Sequence, residues 1–156
     1  MKLDLIQPFI NAADAVLSEM LHQPVEIIDL AMQPVPANPE GAAASISLEG
    51  EIEGNVIFAI DPKAALVIAA ALNCDITSGD TVLDVVCELA NLIVGNAIVA
   101  LSDNGFQFDV HPPQPHAANS HPVQDRDSEA VLMRFDAGGT AVLMNISMRY
   151  VRAAHA

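Results

Sequence analysis

Apolar residues recur at helical spacing at Phe9, Ala13, Val16, Leu17 and Met20, which predicts a first helix from Pro8 to His22 with the proline in its opening turn. Val25 to Met32 reads as a strand, and Pro34, Pro36 and Pro39 mark an extended connection after it. Ala44 to Leu48 and Asn55 to Ile60 are two further strands joined through Gly50 and Gly54 as a hairpin. Asp61-Pro62 has the form of a cap and a first-turn proline, so Lys63 to Leu72 is expected to be a short buried helix.

The longest periodic stretch follows. Asp80 is expected to cap a helix over Thr81 to Asp103, and Gly105 to end it. Phe106 to Val110 reads as a short strand, and His111 to Asp127, rich in Pro, His, Asn and Asp, as a loop. Two longer strands, Ala130 to Asp136 and Thr140 to Val151, turn at Ala137-Gly138-Gly139. In the last, Val142, Met144, Ile146, Met148 and Tyr150 share one side. A helix and three strands, a short helix, then a helix and three strands make two halves alike in element order. Interleaved hairpins and helices predict an α+β layer architecture rather than a doubly wound parallel sheet. No Gly-rich phosphate loop follows any strand.

Composition narrows the function. The 156 residues are 52% hydrophobic and 17% charged, which excludes a chain kept disordered by low hydrophobicity. Twenty acids against six bases give a net charge of -14, so a nucleic-acid or anionic membrane surface is not the expected partner. An acidic surface suits a partner with a basic docking site. Met1-Lys2-Leu3-Asp4 lacks the pattern of a signal peptide, and Leu83 to Leu101, though apolar, carries Asp84, Glu88, Asn91 and Asn96 and is not expected to span a bilayer. Cys74 and Cys87 form no CxxC pair and read as free buried thiols of a cytoplasmic chain.

On a helical wheel Asp84, Glu88, Asn91 and Gly95 fall in one stripe, at spacings of four, three and four. Around it stand Val82, Val85, Val86, Leu89, Ala90, Leu92, Ile93, Val94 and Ala97, so this is a core helix with a narrow solvent strip. A polar strip is all that such a helix requires, and Asp84 and Glu88 satisfy that requirement without any further role. Gly95 is less easily explained, because a glycine inside a helix costs about 1 kcal/mol against alanine. It makes sense where something approaches the backbone closely. Asn96 falls on the apolar side and is expected to be a buried amide bonded to backbone. A carboxylate and a carboxamide one turn apart can grip a lysine and orient a water, but they supply no nucleophile and no complete metal set. That suits assistance to phosphoryl hydrolysis, where positioning and electrostatics do most of the catalysis.

Asp84-x3-Glu88-x2-Asn91, followed after twenty-one residues by Pro113, resembles the signature of the CheC/CheX chemotaxis phosphatases. The run from Glu88 to Ala97 is similar to that family's active helix, and Gln7-Pro8-Phe9-Ile10 to its Asn-Pro-Phe start. The resemblance implies a single CheX-like phosphatase domain over residues 1–156, with a CheC-like fold of two pseudo-repeated halves whose long helices pack on an antiparallel sheet. It implies a hydrolase acting on the phosphoaspartate of a CheY-like response regulator. Asn91 would orient the attacking water and Glu88 would pair with the receiver lysine. Asp84 and Gly95 would contribute to partner binding, and Pro113 would shape the chain near the site. Mg²⁺ would come from the receiver, with no metal or cofactor held by this chain. The first helix offers Asn11-x2-Asp14 instead of Glu-x-x-Asn, so one site is expected, a pattern that looks like CheX and implies a homodimer. Beyond Pro113 the family continues into an apolar strand, whereas Gln114 to Asn119 is polar and proline-rich here. A second reading is a non-catalytic signalling or flagellar-switch-type interaction module of the same fold.

Other candidates weigh less. His111, His116 and His121 recur every five residues, but no acid or cysteine completes a recognised metal spacing, and they read as part of a solvated loop. Met144 and Met148 are explained by alternating strand packing. Ser18, Ser45, Ser47 and Ser78 lack a nucleophile-elbow context.

Overall fold

A computed structural model of the chain describes residues 3–21, 24–32, 42–60, 62–73, 79–116, 131–137 and 140–151. Helix α1 spans Leu3–Leu21, starting five residues before the expected position. Leu5, Ile6 and Phe9, at helical spacing, are all buried, and that burial carries the helix back through Pro8. The proline therefore sits inside the helix, where it forfeits the bond to the carbonyl one turn earlier.

Strand β1 (Glu26–Met32) precedes a hairpin of β2 (Ala42–Gly50) and β3 (Ile52–Ile60). These strands are longer than the apolar runs suggested, and Gly54 lies within β3 rather than in the turn, paired with Leu48. A Cβ on Gly54 would stand 1.9 Å from the carbonyl oxygen of Ser147, so the residue is small because a neighbouring strand's backbone comes too close for anything else. Helix α2 (Pro62–Ala71) is followed by a turn through Asn73, whose φ of 59° is left-handed, a conformation asparagine tolerates. The proposed cap at Asp61 lies outside the described residues.

Helix α3 runs from Gly79 to Asp103, so Asp80 belongs to the helix instead of preceding it. Its far end matches expectation. Gly105, at φ 93°, donates its N–H to the Ser102 carbonyl at 2.9 Å, and Phe106 donates to Leu101 at 3.3 Å. This paired closure satisfies carbonyls that a helix end would otherwise leave open.

The chain continues through β4 (Phe108–Val110), β5 (Gln114–His116), β6 (Val131–Ala137) and β7 (Thr140–Tyr150). The segment expected to be a loop after His111 is thus partly a strand. β4 pairs with Leu48–Gly50 of β2 and β5 with Ala43–Ser45 of the same strand, so they form one sheet edge interrupted at His111-Pro112-Pro113. An edge tolerates Pro115 because its outer side asks for no ladder N–H. The Ala137-Gly138-Gly139 turn reaches residues outside those described, although Ala137 and Thr140 are paired.

All pairings are antiparallel, in the order β1-β6-β7-β3-β2-β4, with β5 also on β2. The order is symmetric about the β7–β3 pair: each half's hairpin is flanked by the other half's first strand. The architecture is α+β, and α1 and α3 pack on each other, with contacts to β7 and to β2 and β3 respectively. The core between helices and sheet joins Phe9 and Leu17 of α1, Leu89, Ile93 and Leu101 of α3, and Ile46, Phe58, Met144 and Ile146 of the sheet. Met148 also belongs to it, in keeping with strand alternation.

Candidate functional site

The core side of the long helix is complete without its polar stripe. Val85, Val86, Leu89, Ala90, Ile93, Val94, Ala97 and Leu101 are buried. That fixes the rotation of α3 and leaves Asp84, Glu88, Asn91 and Gly95 all exposed on the opposite side. Glu88 and Asn91 are neighbours across one turn. Among the described residues neither side chain has a hydrogen-bond or ion-pair partner.

Asn96 departs from expectation. It is exposed, and its Nδ2 donates to the Leu92 carbonyl at 2.7 Å. The bond to backbone is as expected, but the burial is not, because the solvent strip widens toward the helix end, where Val99, Ala100, Ser102 and Asp103 are exposed too. Continuing the wheel one turn past Gly95 finds Val99, a residue that a reading confined to polar positions passes over.

Cys87 sits half-buried between Val86 and Glu88. Burial raises its thiol pKa above the ordinary 9.0, and the neighbouring Asp84 carboxylate raises it further. It is a poor nucleophile at neutral pH. Cys74 lies outside the described residues.

Pro113 is half-buried immediately before β5. Ser102, near the end of α3, shares a shallow depression with Glu49, Gly50 and Phe108, so that end of the helix lies at the Gly50 end of β2. β5 pairs toward the other end of β2 and packs against α3. Pro113 thus precedes a strand that packs against α3.

No group of three or more His, Cys, Asp or Glu able to hold a metal ion exists among the described residues. Nε2 of His111 faces Oε2 of Glu49 at 3.1 Å on the sheet edge, with both side chains solvent-accessible. His121 lies outside the described residues. By length and composition alone α3 could cross a membrane. Here it is a core helix packed against α1, α2, β2, β3 and β5.

The first helix carries a stripe of the same spacing. Gln7, Asn11, Asp14 and Ser18 answer to Asp84, Glu88, Asn91 and Gly95, and at the same offset buried Phe9, Ala12, Ala13 and Leu17 answer to buried Val86, Leu89, Ala90 and Val94. On α1, however, the polar groups bond one another: Gln7 Nε2 donates to Asn11 Oδ1 at 2.8 Å, and Ser18 Oγ to Asp14 Oδ1 at 3.3 Å.

The model of the family described as chemotaxis phosphatase CheX matches residues 42–136, well over half of the chain and inclusive of the whole of α3. The chain belongs to the CheX family. Solved structures agree along nearly its full length. A CheC-like superfamily protein from Shewanella sp. PV-4 superposes with a TM-score of 0.82 at 22% identity, covering 96% of this chain and 99% of that one. The chemotaxis protein CheX from Vibrio vulnificus gives 0.79 at 19% identity, with 94% and 99% covered. CheX from Borrelia burgdorferi, solved as a CheX–CheY–BeF3–Mg²⁺ complex, gives 0.78 at 27% identity, with 95% and 99% covered. Among curated proteins none matches this chain. The CheX family assignment and the α+β fold of two matching halves therefore rest on sequence and structure together.

Proposed function

We propose that this chain dephosphorylates the phosphoaspartate of a CheY-like response regulator, with Asn91 orienting the attacking water and Glu88 pairing with the receiver lysine. The observation that carries the reading is the exposed, unpartnered Glu88–Asn91 pair on the core helix of a CheX-family chain. The Borrelia relative, captured with CheY, BeF3 and Mg²⁺, supports a receiver as the partner.

The chemistry follows from what the pair lacks. Asn91 has no nucleophilic atom and the Glu88 carboxylate is engaged by the receiver lysine, so water attacks the phosphorus, the bond to the aspartyl oxygen breaks, and the receiver's carboxylate leaves. The Asn91 carboxamide offers both an acceptor and a donor, enough to hold a water in one orientation. Fixing that water removes orientational entropy from the barrier. The Glu88 carboxylate pairs with an ammonium and sets the register of docking. Asp84 adds negative charge to the docking surface, Gly95 leaves room for the partner, and Pro113 shapes the chain beside the helix. The receiver contributes the acyl phosphate and Mg²⁺. The active form is a cytoplasmic homodimer of one domain per chain, with one site on each.

The test is phosphate release from a receiver loaded with acetyl phosphate. Asn91→Ala is expected to lose about a hundredfold or more of the stimulated rate, with circular dichroism unchanged. An unaltered rate would remove Asn91 from the mechanism.

A further inference from the structure

We infer that Val99 is a specificity-determining contact, and that the receiver's surface rests on α3 beyond the reacting pair, over Gly95 and Val99. The inference rests on the reading that α3 docks a receiver.

Val99 is 61% exposed, as bare as any large hydrophobic side chain among the described residues. It stands four residues after Gly95 on the stripe that begins at Asp84, so Asn91, Gly95 and Val99 follow one another turn by turn. Among the described residues nothing explains Gly95. Its backbone is not among the positive-φ positions, and a Cβ there would meet no atom within 4 Å. Neither the helix nor its packing excludes alanine, which is the better helix former. A requirement for bare backbone at that point comes from outside the molecule.

The ridge is also divided by charge. Asp84 and Glu88 make its first half anionic, whereas the exposed positions Gly95, Asn96, Val99 and Ala100 carry no charge, and the next acid, Asp103, stands at the last residue of the helix. Val99 stands eleven positions after Glu88 on the helix, about 16 Å along the axis. The surface therefore fits a receiver that presents a lysine at one end of the contact and an apolar side chain about 16 Å away. Continuity with the reacting pair favours this occupant over a second copy of the chain.

The experiment uses the full chain and a CheY-type receiver from the same organism. Phosphate release is followed after acetyl-phosphate loading, and affinity is measured for the BeF3–Mg²⁺ form. Val99→Gln keeps bulk and does not lower helix propensity but removes apolarity, and should raise KM and Kd about tenfold with kcat within about twofold. Val99→Leu should restore KM. Gly95→Ala should raise Tm by a few degrees while also raising KM, a pairing that a merely structural glycine would not produce. Unchanged KM in both Val99→Gln and Gly95→Ala, with wild type active and Asn91→Ala inactive, overturns the extended contact and leaves the phosphatase reading standing. A halved particle mass in Val99→Gln at unchanged KM assigns the surface to a second copy and likewise overturns it. No stimulation by wild type of any receiver sinks the phosphatase reading itself.

Discussion

On α1, Gln7 donates from Nε2 to the Oδ1 of Asn11 at 2.8 Å, one turn away. Asp84 and Glu88 hold the corresponding places on α3, where two carboxylates cannot bond each other without a shared proton. One helix thus closes its polar stripe on itself, and the other leaves it open. Asn11→Ala and Asp14→Ala are accordingly expected to keep the stimulated phosphatase rate within about twofold and to cost no more than about 0.5 kcal/mol, as for exposed helix pairs. Rate assays beside urea titrations check both.

In the proposed docking Glu88 acts through its charge. Glu88→Ala should raise KM for the receiver, and Glu88→Lys should raise it more, because a cation facing the receiver lysine is repelled. Wild-type KM should climb with salt, and Glu88→Ala should flatten that dependence. Parallel salt curves for the two proteins would deny the carboxylate its docking role.

Gly54→Ala probes a close approach of two strands. The added carbon must push back the Ser147 carbonyl, which belongs to the central β7–β3 pair. The expected cost is about 3 kcal/mol, a fall in Tm of roughly 6–12 °C. Gly105→Ala has open space and only the left-handed φ to overcome, so its cost should be about 1–2 kcal/mol. Thermal melts of the two variants rank the effects.

Cys87 links stability to alkaline pH. Its folded pKa lies above the ordinary 9.0, so the folded chain holds the thiol proton more tightly than the unfolded one does. That stability is fully present below the ordinary value and is lost as the pH rises through the folded value. In a Cys74→Ser background, Tm should decline above pH 9, and Cys87→Ser should abolish the decline. Replacing Asp84 by Asn removes one cause of the raised pKa, and should speed alkylation of Cys87 at pH 8.

Much of this was legible from the chain, and the failures share a cause. The stripe from Asp84 to Gly95 was visible because the apolar residues around it declare which side of α3 faces inward, and a wheel needs nothing else. Asn96 was misplaced because the wheel assumes a core arc of constant width, while the core under α3 narrows toward Asp103. The start of α1 was missed because Pro8 was weighed as a local signal, whereas the burial of Leu5 and Ile6 is a tertiary event. β5 was missed for a similar reason: Gln114-Pro115-His116 has no strand character of its own, and β2 supplies the partner.

By itself, then, the amino-acid order determined the succession of elements, the inward side of each helix and the spacing of Glu88 and Asn91, since these depend on neighbours within a few positions. The exchange of first strands between the halves, the contact that forbids a side chain at residue 54, and the contrast between a closed stripe on α1 and an open one on α3 were decided only in three dimensions. Strand pairing and packing join residues far apart in the chain, and local periodicity records which side of an element is apolar but not what will cover it.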